Sequence, residues 1–238
     1  MKIVCVSNIK GGTGKSTITA NLAVSLSSFG KKVVVLDIDY PQFSLMNYFR
    51  HRSKDAKNQL DIQKIDDIKV LPEIIEDYRK QEYDYCIVDF PGKMDSAMDW
   101  LYVMSDVVVT PLHDSEIDLG VIGKFDQKNK SFVPGCFGEL IWEMRKKKFI
   151  EKKGQSKWII VPNRLGVRIT NNQRNVLNQL KQMQSAMNFE LCSGIKDRVV
   201  FKELCAIGMT VFDLEKSELN TSRVAARNEI RSLANKIM

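Results

Sequence analysis

A loop rich in glycine and lysine lies near the N-terminus of this chain, and it limits the possible folds more than any other part of the sequence. Residues 8–17 read Asn-Ile-Lys-Gly-Gly-Thr-Gly-Lys-Ser-Thr, between an apolar run, Ile3–Ser7, and an amphipathic stretch, Ser16–Phe29. Glycines allow the backbone to turn with its N–H groups pointing inward, and a helix that starts directly afterwards adds positive potential. The order of strand, loop and helix therefore predicts a phosphate-binding loop.

Each residue type in this loop has a role that phosphate chemistry requires. Lys15 would reach the β- and γ-phosphates of ATP, and the Ser16 hydroxyl would coordinate Mg²⁺. A glycine turn that binds nothing is the alternative, and it leaves the strand, the helix and the two lysines around the turn without explanation. The phosphate contacts are predicted to come from Gly11, Gly12, Thr13, Gly14, Lys15, Ser16 and Thr17.

The pattern of the whole chain predicts an α/β fold, because short β-branched runs alternate with amphipathic stretches throughout. The runs are almost continuously apolar, as in parallel strands covered on both faces. We predict a single domain, residues 1–238, with a doubly wound, mostly parallel sheet, helices on both faces and the ligand at the carboxyl ends of the strands. The predicted strands are Ile3–Ser7, Lys32–Asp37, Tyr85–Asp89, Asp106–Thr110 and Trp158–Val161. The predicted helices are Ser16–Phe29, Gln42–Arg52, Pro72–Gln81, Asp95–Met104, Phe137–Glu151, Asn171–Met187 and Thr221–Met238, and the loosest segments are 124–135 and 152–157.

Aspartates follow two of the predicted strands. Asp37 and Asp39 stand at the end of the second strand, and Asp89 ends the third. Strand-terminal carboxylates would face the phosphates of a nucleotide bound to the first loop. An apolar strand that ends in aspartate is the Walker B arrangement, so Asp89 is predicted to hold Mg²⁺ through its water shell. For Asp37 and Asp39 the alternative is that they cap the helix that follows them.

The loop departs from the ordinary Walker A pattern, which has glycine where Ile9 stands. It resembles the deviant K-G-G-x-G-K-[ST]-T loop of the ParA/MinD family of ATPases. The resemblance implies that Lys10 reaches across a homodimer to the partner's ATP, in the manner of an arginine finger supplied in trans. It also implies that Asp39 positions or activates the attacking water, and that Asp37 belongs to the hydrogen-bond network around Mg²⁺. Asn163, after the fifth predicted strand, would contact the adenine, and a turn-forming asparagine is the alternative.

The second half of the chain is similar to the MipZ branch of this family. This resemblance implies an ATPase that acts as a timer: the ATP-bound homodimer binds DNA non-specifically and inhibits polymerisation of the tubulin-like protein FtsZ, and a ParB-type centromere-binding protein recaptures the monomers. The alternatives are a ParA-type partition ATPase for plasmid or chromosome DNA, and a metabolic ATPase of the nitrogenase iron-protein type, which needs a cysteine pair that this sequence does not place well. The similar stretches are Asp106–Asp118, Ile141–Lys146, Trp158–Leu165, Ile195–Leu204, Gly208–Leu214 and Ala225–Leu233.

The charge of the chain favours polyanionic partners. Lysines and arginines number 36 against 29 acidic residues, a net charge of +7, and a solubilising role is the alternative. Lys196, Arg198 and Lys202 are spaced for one face of a short helix, in a region where the resembling family carries arginines implicated in DNA contact. Arg223 and Arg227 are four residues apart on the last predicted helix, and we expect both clusters to contact DNA. Residues 124–157 are also basic, and a solvated helix face explains them better.

Two negative features of the sequence predict where the chain works. No apolar run approaches the roughly 18 residues that a membrane span needs, and the N-terminus lacks the pattern of a signal peptide. The five cysteines are scattered and odd in number, which is typical of reduced thiols. We therefore expect a cytoplasmic protein that does not bind membranes and, from the resemblance, one that associates with the nucleoid when ATP is bound.

Overall fold

A computed structural model of the chain describes residues 1–53, 56–93, 95–126, 128–129, 131–166, 168 and 170–238. Strands and helices alternate along these residues. The strands are β1 (Lys2–Val6), β2 (Val33–Asp37), β3 (Asp61–Lys64), β4 (Tyr85–Asp89), β5 (Val107–Leu112), β6 (Gly123–Asp126), β7 (Ser131–Pro134), β8 (Lys157–Pro162) and β9 (Glu190–Leu191). The α-helices are α1 (Lys15–Ser28), α2 (Ser44–Phe49), α3 (Leu71–Lys80), α4 (Asp99–Met104), α5 (Glu116–Ile122), α6 (Cys136–Ile150), α7 (Asn171–Met187), α8 (Val199–Cys205) and α9 (Thr221–Ile237). Short 3₁₀ helices cover Ile68–Val70, Ser96–Met98 and Lys216–Glu218.

Seven of these strands form one parallel sheet in the order β3-β2-β4-β1-β5-β8-β9. Successive side chains of a strand point to opposite faces. Along β1, Val4 and Val6 therefore join one hydrophobic core, and Ile3 and Cys5 join the other. Helices α1, α2, α8 and α9 pack on the first face, and helices α3 to α7 pack on the second. The predicted doubly wound parallel fold is confirmed.

The register of the central strands brings the predicted phosphate loop and the acidic strand ends to one edge of the sheet. Val6, the last residue of β1, pairs with Asp89 at the end of β4. Asp37, the last residue of β2, pairs with the same aspartate. The loop that follows β1 therefore starts beside both carboxylates, at the edge where an open parallel sheet binds its ligands.

Two of the predicted segments differ from the structure, and two strands of the main sheet were not predicted. The predicted loose segment 124–135 contains the antiparallel pair β6 and β7, in which Gly123 lies opposite Pro134; Gln127 and Lys130 between them lie outside the described residues. The helix predicted over Gln42–Arg52 is the shorter α2, because Phe43 before it has a left-handed backbone with φ 43°. Strands β3 and β9 escaped prediction because β3 is a polar edge strand and β9 has two residues.

Candidate nucleotide site

The loop between β1 and α1 is shaped by two glycines with left-handed backbone angles. Gly12 has φ 75° and Gly14 has φ 91°, a region that residues with a side chain rarely adopt. A Cβ atom at Gly12 would meet no atom within 4 Å, whereas one at Gly14 would lie 2.2 Å from Nδ2 of Asn163. Helix α1 begins at Lys15 without a side-chain cap. Its first N–H groups are therefore available to an anionic ligand.

Lys15 and the segment after β4 close over this loop. Lys15 is buried, and its Nζ donates to the carbonyl oxygen of Lys10 at 3.2 Å. Burial lowers the pKa of Lys15, and the charges of Asp89 and Asp39 oppose this shift. A Cβ atom added to Gly92 would stand 3.2 Å from Lys15 Nζ. The backbone at Gly92 thus packs directly against the lysine that is predicted to bind the β- and γ-phosphates.

Asp89 is fully buried at the end of β4, and one of its carboxylate oxygens lacks a partner. Oδ1 accepts a hydrogen bond from the Thr19 hydroxyl at 3.0 Å, while Oδ2 is buried with no hydrogen-bond partner among the described residues. Burial raises the pKa of Asp89 to about 7, and the neighbouring Ser16 hydroxyl opposes the shift. A buried carboxylate oxygen without a partner costs free energy, and a hydrated divalent cation would supply that partner. These residues therefore fit Mg²⁺ beside Ser16 and Asp89.

Asp37 and Asp39 have different environments although they are two residues apart. The carboxylate oxygens of Asp37 accept backbone N–H groups, from Asp39 at 3.1 Å and from Leu45 and Met46 at 3.0 Å each. Asp37 thus holds the N-terminus of α2, as the capping alternative predicts for it; its expected part in the magnesium network stays a prediction. Asp39 lines the cavity over the phosphate loop. Burial raises the pKa of Asp39, and the charge of Lys15 opposes the shift.

Two adjoining cavities form one cleft along the carboxyl edge of the sheet. The first has a volume of about 480 Å³ and lies over the phosphate loop; the second, of about 420 Å³, is lined by Asn163. Asn163 is buried, and its Nδ2 donates to the carbonyl oxygen of Thr13 at 2.8 Å. Gly14 and Thr17 line both cavities. The cleft is of the size usual for a small-molecule site, and Asn163 holds the loop at the boundary between its two parts.

Sequence reasoning missed several residues that line this cleft, among them Arg164, Cys205 and Tyr48. Arg164 lines both cavities and has a left-handed φ of 54°. Its position next to Asn163 in the sequence could have indicated that it lies at the cleft. Cys205 also lines both cavities, and Tyr48 lines the phosphate cavity. Neither of these two belongs to a motif, because each reaches the cleft from a helix that is distant in sequence from the loop.

Lys10, the additional lysine of the loop, contacts helix α5 of its own chain. Its Nζ lies 2.9 Å from Oδ1 of Asp118, and Nδ1 of His113 lies 3.8 Å from the other carboxylate oxygen of the same aspartate. Ser115 caps α5 by accepting the N–H of Asp118 at 3.0 Å, which fixes the direction of the helix. The side chain of Lys10 is 28% exposed, so the pair lies at the surface beside the phosphate loop.

The first basic cluster lies at the nucleotide cleft. The expectation that Lys196, Arg198 and Lys202 share a short helix is wrong, because α8 begins only at Val199 and Arg198 has extended backbone angles. All three basic residues line the second cavity. The guanidinium of Arg198 pairs with Glu229 at 2.7 Å, so part of its hydrogen-bonding capacity is used within the chain.

The second basic cluster holds α9 to the segment before it. Arg223 and Arg227 both lie on α9, as the spacing predicts. Arg227 donates to the carbonyl oxygens of Val211 and Leu214 at 2.9 Å each. Arg223 donates to the carbonyl oxygen of Glu218 at 2.8 Å. Contact of either cluster with DNA stays a prediction.

The parallel sheet and the phosphate loop after its first strand are the fold of the phosphate-loop nucleoside triphosphatases of the type that includes MinD. A family model described as ATPase MipZ matches residues 2–238, and the chain belongs to this family. The chain is 29% identical to the septum site-determining protein MinD of Helicobacter pylori over 163 residues, 50% of this chain and 58% of that protein. It spans about half the length of the curated relatives that it matches.

Solved structures show the same fold at low sequence identity. The MinC:MinD cell division protein complex of Aquifex aeolicus has a TM-score of 0.68 at 16% identity, covering 100% of this chain and 96% of that one. MinD complexed with Mg-ADP from Pyrococcus horikoshii has a TM-score of 0.61 at 19% identity, covering 99% of this chain and 95% of that one. Within the described part of the present chain, no helix has the length and apolar character to cross a membrane.

Proposed function

We propose that the protein is an ATP-dependent dimerisation switch that hydrolyses ATP slowly with Mg²⁺. The observation that carries this proposal is the buried Oδ2 of Asp89, which has no partner among the described residues and lies at the strand end beside the phosphate loop. A hydrated Mg²⁺ bound to ATP would satisfy it. Membership of the MipZ family and the likeness of fold to a Mg-ADP complex of MinD support the same ligand.

Different residues of the site bind different parts of ATP and its Mg²⁺. The backbone of residues 11–17 holds the phosphates at the N-terminus of α1. Lys15 binds the β- and γ-phosphates, and Ser16 and Asp89 hold Mg²⁺, directly and through water respectively. Mg²⁺ held by Ser16 and Asp89 would act as a Lewis acid there and would neutralise charge that develops on the phosphoryl group. Asn163 fixes the loop through Thr13 and contacts the adenine in the second cavity.

Hydrolysis depends on Asp39 and on a second copy of the chain. Asp39 lines the phosphate cavity and orients the attacking water. Lys10 leaves Asp118 and reaches the γ-phosphate of ATP bound to the partner, which stabilises negative charge in the transition state. Because this bridge exists only while the γ-phosphate is present, ATP favours the dimer and hydrolysis favours the monomer.

The output of the switch is placement of the division site. The ATP dimer binds DNA non-specifically and inhibits FtsZ polymerisation, and a ParB-type protein recaptures the monomer. The match to the MipZ family over nearly the whole chain and the likeness to a septum site-determining protein support this output. A ParA-type role in partition uses the same nucleotide chemistry with a different cargo.

Purified FtsZ and non-specific DNA test this output directly. The protein with ATP is expected to lower the light scattering of FtsZ polymers and to shift duplex DNA in a gel, while the protein with ADP does neither. Lys15→Ala serves as the control that cannot bind nucleotide. DNA binding with ATP and unchanged FtsZ polymers would contradict the division output and favour partition. Normal ATP affinity of Lys15→Ala would contradict the site itself.

A further inference from the structure

The outer face of α6 carries large apolar side chains that the chain itself does not cover. Trp142 is 45% exposed and Phe149 is 63% exposed. They are seven residues apart, about two helical turns, and therefore lie on the same face of α6. Together with Arg145 and Lys146 they line a cavity of about 240 Å³. We call this cavity and its continuation past Ser156 the α6 groove.

The α6 groove continues over the amino end of β8. A second cavity of about 340 Å³ shares Arg145 and Ser156 with the first and reaches Phe189. Arg145 forms a fixed wall, because its Nε donates to the carbonyl oxygen of Ser156 and its guanidinium to that of Met187, both at 3.1 Å. Ser156 is 2% exposed, and its hydroxyl is buried without a hydrogen-bond partner among the described residues. The groove thus combines two exposed aromatic side chains, Trp142 and Phe149, with a fixed polar wall at Arg145.

The charge around the α6 groove is positive. Residues 139–157 contain seven lysines and arginines and three glutamates. Ion pairs join Lys146 to Glu143 at 3.7 Å, Lys153 to Glu151 at 2.6 Å, and Lys157 to Glu190 of the groove lining at 2.8 Å. Lys148 is buried, and the exposed Lys147 and Lys152 add further positive charge at the rim. An acidic segment would therefore be attracted to the rim, while its apolar side chains fill the space beside Trp142. DNA suits the groove less well, because exposed aromatic side chains form one side of it and the Arg145 guanidinium already donates within the chain.

The α6 groove lies at the opposite end of β8 from the nucleotide cleft. Lys157 begins β8 at the groove, and Asn163 follows its last residue at the cleft. Six residues of extended chain span about 20 Å. A segment bound in the groove would therefore not touch the nucleotide, and its affinity should be the same with ATP, with ADP and without nucleotide.

We propose that the α6 groove is a docking site for an acidic segment of another protein that inserts apolar side chains between Trp142 and Phe149, independently of the nucleotide state. Such a site would hold the switch to a partner through the whole ATP cycle. It is separate from the dimer contact through Lys10 and from the ATP cleft.

A fluorescent peptide tests the proposal. The probe is a fluorescein-labelled helical peptide of glutamates and aspartates with a leucine and a phenylalanine two helical turns apart; the control peptide has serine in place of both. The probe is titrated against the full chain and the double variant Trp142→Ala/Phe149→Ala by fluorescence anisotropy. The matched control variant is Val199→Ala/Ile207→Ala, which removes exposed apolar side chains, 68% and 51% exposed, away from the groove.

The probe is expected to bind the unaltered chain and the control variant equally, with and without ATP. The Trp142→Ala/Phe149→Ala variant should bind it at least tenfold more weakly, a change of about 1.4 kcal/mol, and should retain its ATP affinity. Equal binding of the probe and the serine peptide would show attraction by charge alone and would overturn the proposal. Equal binding to both double variants, or no binding to the unaltered chain, would overturn it as well.

Discussion

Lys10 and Asp118 form an ion pair within one chain, with Nζ 2.9 Å from Oδ1. The lysine follows β1 in the phosphate loop, and the aspartate lies in the first turn of α5. If Lys10 acts across a dimer, this contact must open before the dimer forms. Breaking this ion pair therefore opposes dimerisation. The free-energy cost is small, because partly exposed ion pairs contribute about 0.2–1 kcal/mol each.

Substituting the two members of this pair should have opposite effects on the dimer. Lys10→Ala should still bind ATP but should not dimerise with it. Asp118→Asn frees Lys10 in both chains of the dimer, so its ATP-dependent dimer should form at a protein concentration about two- to thirtyfold lower. Sedimentation velocity over a concentration series measures both effects. A weaker dimer of Asp118→Asn would mean that Asp118 supports the dimer and does not restrain Lys10.

Alanine substitutions at three glycines distinguish two effects: strain in the backbone and steric blocking of the nucleotide site. Gly12, Gly14 and Gly30 all have left-handed φ, at 75°, 91° and 76°. At Gly14 alone an added Cβ atom would collide with Asn163. Gly14→Ala should therefore lose ATP binding. Gly30→Ala, outside the site, should lose only about 1 kcal/mol of stability.

Gly12→Ala should share the stability loss of Gly30→Ala, because nothing lies within 4 Å of its added Cβ atom. Its ATP affinity should fall as well, because phosphate groups would occupy that open space. Calorimetric titration with ATP and thermal melts distinguish the effects. Full ATP affinity of Gly14→Ala would contradict the arrangement of the loop.

The raised pKa of Asp89 makes the stability of the nucleotide-free protein depend on pH. Burial raises this pKa from 3.8 to about 7, so between these values the folded chain holds a proton that the unfolded chain has released. Stability should therefore fall as pH rises from 4 to 7, by roughly 2–4 kcal/mol. Asp89→Asn should flatten this part of the profile and raise stability at pH 8, while losing Mg²⁺-dependent ATP binding. Urea unfolding at pH 5 and pH 8 is the measurement, and an unchanged profile of Asp89→Asn would contradict the raised pKa of Asp89.

A buried ion pair fixes the chain after α2 to the segment before α9. The guanidinium of Arg52 donates to both carboxylate oxygens of Asp213, at 2.7 and 2.9 Å, and the two side chains are 8% and 4% exposed. Arg52→Ala should cost about 3–5 kcal/mol, because it leaves a buried charge unpaired. Loss of the exposed pair in Lys80→Ala, with Asp77, should cost less than about 1 kcal/mol. If urea unfolding showed equal losses of unfolding free energy in Arg52→Ala and Lys80→Ala, the burial of the Arg52–Asp213 pair would be contradicted.

The sequence predicts correctly those helices and strands that are specified by the pattern of neighbouring residues. The continuous apolar runs predict the central strands, and Tyr85–Asp89 and Asn171–Met187 match the structure at both ends. The motif residues converge because parallel strands end at one edge of the sheet. The contacts of Lys10 with Asp118 and of Arg52 with Asp213 join segments more than a hundred residues apart and have no local pattern.

The wrong predictions have the same cause, which is that contacts outside the local pattern decide the structure. Lys196 and Arg198 have helical spacing, but Lys196 bridges to Leu165 and Gly194 before it has φ 93°, so the chain there is extended. The antiparallel pair β6 and β7 forms from short runs between lysines, where composition favours a loop. In both places tertiary contacts outweigh local propensity.

Size-exclusion chromatography with light scattering tests the switch itself, by giving the mass of Asp39→Ala in solution with ATP and with ADP. The substitution should trap the ATP-bound state, so we expect a dimer with ATP and a monomer with ADP. The double variant Asp39→Ala/Lys10→Ala, the matched control, should be a monomer with both nucleotides. A monomer of Asp39→Ala with ATP, or a dimer of the double variant, would contradict the switch.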